Sequence, residues 1–178
     1  MKPNTIVYTS NTGSAKAYAE MLGAQTGLTV LPFPDAVTAL GAGEEIIYIG
    51  WLMAGTVVNL AKAKKRFSVR AVLAVGMTSS GEMEDSVRRR NAIGADTPLF
   101  LAQGAYDKTK LHGMYRFAMK LVGAALEKKI SAKADRNDEE ELILKMLREG
   151  GSGVSEEKLG GLLAWYRAHA SNTLDGEN

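Results

Sequence analysis

Short apolar runs alternate along the first hundred residues with stretches whose apolar positions return every three or four residues. Thr5-Ile6-Val7-Tyr8-Thr9 is unbroken and reads as a buried strand. Ala15, Tyr18, Ala19 and Leu22 then mark one face of a helix. Leu28-Thr29-Val30-Leu31 is a short second strand, stopped by Pro32 and Pro34. Glu45-Ile46-Ile47-Tyr48-Ile49-Gly50 is the third strand, followed by a helical face made of Val57, Leu60, Ala61 and Phe67. Lys62, Lys64, Lys65 and Arg66 fall in the last turns of that helix, where cations suit the dipole. Arg70-Ala71-Val72-Leu73-Ala74-Val75-Gly76 is the fourth strand, residues 82–93 a weak polar helix, and Pro98-Leu99-Phe100-Leu101-Ala102-Gln103 the fifth strand.

Strands that alternate with helices and stay apolar along their length predict a parallel sheet covered on both faces. The second half of the chain reads as helix throughout. Residues 111–129 form one helix and residues 138–149 another, the latter opened by Asn137 with Glu140 in the capping-box position. Gly150-Gly151-Ser152-Gly153 interrupts the pattern. A last helix begins after Ser155 and places Leu159, Leu162, Leu163 and Tyr166 on one face. Residues 1–170 thus make a single domain, and the polar residues 171–178 a flexible tail.

The 178 residues are 46% hydrophobic and 24% charged, which suits one sizeable core. No Cys is present, so disulfides, thiol nucleophiles and Cys-held metal clusters are excluded. His112 and His169 are the two histidines and belong to no nucleophile or metal constellation. A net charge of +2 gives no push toward nucleic acid. No stretch approaches the roughly 20 apolar residues that cross a bilayer, and no secretory signal opens the chain. A cytoplasmic protein is the expectation.

The segment that carries chemistry is Thr9-Ser10-Asn11-Thr12-Gly13-Ser14-Ala15-Lys16, between the first strand and the first helix. Hydroxyls at Ser10, Thr12 and Ser14 stand beside the amides of a helix start, which attracts an anion. Gly13 allows the backbone a close approach. No Walker loop and no G-x-G-x-x-G follows the first strand, so a triphosphate or a dinucleotide is disfavoured and one terminal phosphate favoured.

Ser10-Asn11-Thr12-Gly13-Ser14-Ala15 resembles the phosphate loop of the flavodoxins, [ST]-x-T-G-x-T, with Ala15 in place of the final Thr. The resemblance extends over the loop and five strands, to about Gln103. It implies a flavodoxin-like α/β fold, a doubly wound parallel five-stranded sheet of order 2-1-3-4-5. It also implies flavin mononucleotide (FMN) as cofactor, with its ring between the loops after strands three and four. These are Trp51-Leu52-Met53-Ala54-Gly55 and Met77-Thr78-Ser79-Ser80-Gly81; Trp51 and Met53 would supply one apolar wall and Met77 the other. The layout beyond Gln103 resembles flavodoxin-domain proteins akin to protoporphyrinogen dehydrogenase, which carry a helical insertion before the last helix. Here it would occupy about residues 105–153.

Three functions compete under this resemblance. The first is electron transfer by bound FMN, between a redox partner protein and another protein or a small-molecule acceptor. The second is an FMN-dependent oxidoreductase resembling protoporphyrinogen dehydrogenase or a quinone reductase. The third is a cofactor-free module that binds a protein partner, for which Ala15 is the sequence argument. His112, Arg116 and Lys120 fall four apart on the insertion's first helix, and Lys128, Lys129, Lys133 and Arg136 follow, so a peripheral membrane contact is a further expectation. Arg88-Arg89-Arg90 reads as a solvated face.

Overall fold

The computed structural model describes residues 3–77, 83–106 and 123–171. Its centre is a sheet whose five long strands run parallel: β1 (Thr5–Thr9), β2 (Thr29–Pro32), β3 (Glu45–Met53), β5 (Ser68–Gly76) and β6 (Leu99–Gln103). A two-residue strand, β4 (Thr56–Val57), turns back antiparallel on the end of β3. The order is therefore β2-β1-β3-β5-β6. It differs from the expected 2-1-3-4-5 because β4 had not been foreseen and joins the sheet only through β3. The β3–β5 register shifts once, between Ile46 and Ile47.

Helices cover both faces, because period-two alternation sends successive strand side chains to opposite sides. On one side Ile6, Ile47, Ile49 and Leu73 pack under Tyr18, Ala19 and Leu22 of α1 (Ser14–Thr26) and Leu162 and Tyr166 of α7 (Gly160–Ser171). On the other, Val7, Ile46, Tyr48 and Val72 pack against Ala36 of α2 (Phe33–Ala39), Leu60 and Ala63 of α3 (Leu60–Arg66) and Val87 of α4 (Glu84–Arg90). The continuous apolar strands thus reflect burial on two faces rather than one.

Several elements differ from the sequence expectation. Pro34 does more than end β2: it sits in the first turn of α2, where the missing N–H is no loss. Residues 51–53 are not loop. β3 runs on through Trp51 and Leu52 to Met53 and returns through a two-residue turn at Ala54 (φ 48°) and Gly55 (φ 80°). Both turn residues are left-handed, as the tightest hairpins require. The helix behind β3 starts only at Leu60, since Val57 belongs to β4. The polar helix is shorter than residues 82–93, and a 3-10 turn (Glu156–Leu159) precedes α7.

The insertion leaves the sheet after β6 through β7 (Ala105–Tyr106) and returns through β8 (Gly151–Ser152), which pair antiparallel as a neck. Within it, residues 123–131 form α5, and α6 spans Asp138–Glu149 with the expected capping box between Asn137 and Glu140. Ile130, Ile143, Leu144, Met146 and Leu147 make a small core of their own there. The first part of the predicted helix 111–129, with His112, Arg116 and Lys120, lies outside the described residues, as do Thr78, Ser79, Ser80 and the tail from 172. No helix among the described residues is long and apolar enough to cross a membrane.

Candidate functional site

At the carboxyl edge of β1, next to the point where the strand order reverses, lies a cavity of about 470 Å³. Open α/β sheets bind ligands at this place. Tyr8, Thr9, Ser10, Asn11, Gly13 and Lys16 line it on the side of the first loop, and Pro32, Pro34 and Asn59 on the other. Its volume lies within the roughly 300–1,000 Å³ of small-molecule sites.

The loop's geometry explains its chemistry. Gly13 is the residue before α1 and has φ 98°, a left-handed conformation that side-chain-bearing residues adopt only with strain. Its own N–H donates to Ser10 Oγ at 3.1 Å. No side chain caps α1 and no acidic residue occupies its first turn. The amides of Ser14, Ala15 and Lys16 therefore have no intrahelical acceptor, and the positive end of the dipole is unopposed. Among the described residues Lys16 is the one charged residue on the cavity wall; its ammonium stands 3.5 Å from Glu20 on the exposed side of α1.

The predicted site residues divide into groups. Ser10, Asn11 and Gly13 face the cavity, whereas Thr12 is half-buried and off its wall. Ser14 is buried, and its Oγ accepts the N–H of Ala105 at 2.8 Å. Ala15 is part of the core beneath α1.

The second group, Trp51 to Ala54, sits on the hairpin. Trp51 and Met53 share the α1 side of β3 by alternation, and Met53 is exposed. Leu52 packs into the opposite core. Ala54 occupies the turn, its carbonyl accepting Arg90 Nη1 at 2.7 Å. Asn91 fastens the hairpin from α4: its Nδ2 donates to Gly55 O at 2.9 Å and its Oδ1 accepts Val57 N–H at 2.8 Å. Arg88 meanwhile pairs with Glu84 at 2.9 Å and donates to Gly94 O and Thr97 O. Arg88 and Arg90 are thus tied to structure, while Arg89 and Arg90 remain exposed, as the sequence reading expects of this run.

Of the third group only Met77 is described. Its side chain packs against the small core of the insertion, and its carbonyl accepts Gln103 Nε2 at 3.0 Å.

Two polar clusters escaped the sequence reading. Tyr48 donates to Val58 O at 2.7 Å and accepts from Thr9 Oγ1 at 2.8 Å; Thr9 Oγ1 in turn accepts Asn59 Nδ2 at 3.4 Å. Burial pushes the Tyr48 phenol far above its ordinary value, so it remains a donor. The other cluster surrounds Gln103, which is fully buried at the end of β6: Lys158 Nζ donates to its Oε1 at 2.7 Å and Tyr18 Oη to its carbonyl at 2.7 Å. Apart from the strand-terminal place of Gln103, no spacing signals either cluster.

Among the described residues no group of three or more His, Asp or Glu side chains is placed to hold a metal ion. His169 is engaged on its own helix, its Nδ1 2.8 Å from Trp165 O. In the insertion, Lys133 pairs with Glu140, and Arg136 with Glu141 at 2.5 Å, so these two cations serve α6.

An anionic group suits this arrangement on two grounds. The α1 start is uncapped, and a cavity of ligand size opens beside it with the Lys16 cation on its wall. Compared with known proteins, the chain matches no family model, no curated protein and no solved structure.

Proposed function

We propose that this chain binds FMN without a covalent bond and passes electrons to a partner protein or a small-molecule acceptor. The observation that carries the reading is the cavity beside the uncapped start of α1, at the switch point of a parallel sheet. The amides of Ser14, Ala15 and Lys16 and the Ser10 hydroxyl would hold the terminal phosphate, with the Lys16 ammonium adding charge. Thr9 and Asn59 offer polar groups on the cavity wall; Trp51 and Met53 are not on that wall and would offer the ring an apolar face from the α1 side of the hairpin. When bound, the flavin supplies the redox chemistry. The chain's own residues hold the anion, set the polarity around the ring and limit access.

The neck of the insertion stands at the same edge of the sheet, beside Ser14. That placement favours a second form of the reading, an FMN-dependent oxidoreductase resembling protoporphyrinogen dehydrogenase or a quinone reductase, with the insertion shaping a substrate site. Flavin titration followed by fluorescence quenching tests the cofactor, with riboflavin as the phosphate-free control and inorganic phosphate as competitor. Quenching by FMN that phosphate relieves is the expected result. No uptake of either flavin would leave the cofactor-free module. Turnover of protoporphyrinogen with a quinone acceptor separates enzyme from carrier.

A further inference from the structure

We propose that Ser14 is a latch. It opens the helix beside the anion cavity and also holds the neck of the insertion, so occupancy of the cavity and closure of the neck are linked. The ligand side of this inference rests on the flavin reading; the latch side rests on geometry alone.

Ser14 presents two groups in different directions. Its backbone N–H is the first of α1, beside Gly13, and has no intrahelical acceptor. Its Oγ accepts the N–H of Ala105, the first residue of β7, at 2.8 Å. The neck closes around that bond. Gly104 N–H donates to Gly76 O at 2.7 Å, and Gly153 N–H donates to Gly104 O at 3.0 Å. The contact is close enough to depend on glycine: a Cβ on Gly104 would stand 3.1 Å from Ser14 Oγ and 3.2 Å from Ser14 Cβ. One turn along α1, Tyr18 Oη donates to Gln103 O and accepts the N–H of Ser155 at 3.4 Å. The first two turns of α1 therefore hold β7 at Ala105 and the segments that flank the neck at Gln103 and Ser155.

A ligand that accepts hydrogen bonds from the amides of residues 14–16 fixes the first turn of α1. Fixing that turn holds Ser14 in the position that serves Ala105. A neck already closed spares the ligand the cost of ordering the turn. The coupling is reciprocal, since each event favours the other by the same factor.

Hydrogen–deuterium exchange over residues 103–106 and 151–154 tests the linkage, in the wild-type chain and in Ser14→Ala, with and without FMN. FMN uptake is followed in the same samples by fluorescence. In the wild type, FMN should slow exchange at the neck by about fivefold or more. Ser14→Ala should exchange fast whether or not FMN is present, and bind FMN about fivefold more weakly. Gly104→Ala retains the hydroxyl but wedges the two segments apart; it should reproduce both effects and guards against a fold lost in the first variant. FMN bound with an unchanged neck, or ligand-dependent protection that survives in both variants, overturns the linkage alone. A wild-type chain that takes up no FMN removes the flavin reading and the linkage with it.

Discussion

The phenol of Tyr18 donates to the backbone carbonyl of Gln103 at 2.7 Å, across 85 positions of sequence. It joins the first helix to the last strand of the sheet at the edge where the candidate site lies. The Gln103 side chain extends the junction, donating to Met77 O and accepting from Lys158. The loop after β5, the neck of the insertion and the start of the last helical segment thus meet on one buried amide.

Tyr18→Phe removes the donor to Gln103 O and the acceptor of Ser155 N–H while leaving the ring in place. Burying these groups unpaired should cost about 1–3 kcal/mol. Urea denaturation checks this: the midpoint should fall at constant slope. An unchanged midpoint would show that the junction adds nothing to stability.

Alkaline pH should weaken the fold through two phenols. Burial raises both Tyr18 and Tyr48 above the ordinary value. The unfolded chain releases these protons near pH 10, before the folded chain does. The stability is therefore whole below about pH 10 and declines as pH climbs toward the folded values. Tyr48→Phe should start less stable, having lost the bonds to Val58 and Thr9, yet decline less steeply above pH 10. Parallel melts of both proteins from about pH 8 to 11 decide it; equal slopes would count against the role of Tyr48.

Gly13→Val places a side chain in open space, since nothing stands within 4 Å of a Cβ there. The cost is conformational: φ 98° is foreign to a β-branched residue, and relieving it turns the amide plane of the loop. Thermal stability should fall by about 1–2 kcal/mol and FMN quenching should weaken markedly. A variant equally strained but equally avid for FMN would remove the loop from the phosphate assignment.

Asn91→Ala unfastens the hairpin from α4 by deleting the bonds to Gly55 O and Val57 N–H. Exchange at the Val57 amide should accelerate, and the emission of nearby Trp51 should shift. Replacing Ala54 by Gly acts in the opposite direction, because φ 48° costs alanine about 1–2 kcal/mol and glycine much less. A rise in midpoint for Ala54→Gly is the expected readout.

Acid should loosen the start of α6. The hydrogen bond from Lys133, followed by the Asn137 amide and the nearby charges, holds the Glu140 carboxyl below its ordinary value. A depressed carboxyl stabilises the fold above the unfolded value of about 4.3, and the contribution is lost as pH falls through the folded value. Glu140→Gln should flatten the loss of helical circular dichroism between about pH 5 and 3. An unaltered acid limb would place that sensitivity elsewhere.

Local pattern revealed α1, α6 and the parallel strands because each writes its burial into its own residues. Ala15, Tyr18, Ala19 and Leu22 face one core at helical spacing, and Ile46 to Ile49 are apolar at every position because both sides of β3 are covered. The Asn137–Glu140 box was legible for the same reason, since a cap joins residues three apart. The hairpin at Ala54-Gly55 was not, because a left-handed alanine has no signature and Asn91 fastens it from 36 positions away.

By itself the sequence determined the alternation of strands and helices, the capped helix of the insertion and a hydroxyl-rich bend ahead of α1. These are short-range properties, set by spacing along the chain. Only the tertiary structure decided which of those hydroxyls faces a cavity. It turned Ser10 toward open space and Ser14 toward Ala105, brought Pro32 and Asn59 to the far wall, and buried Gln103 among partners from three segments. Such choices depend on where distant strands end relative to one another, and sheet packing fixes that only once the whole chain has closed.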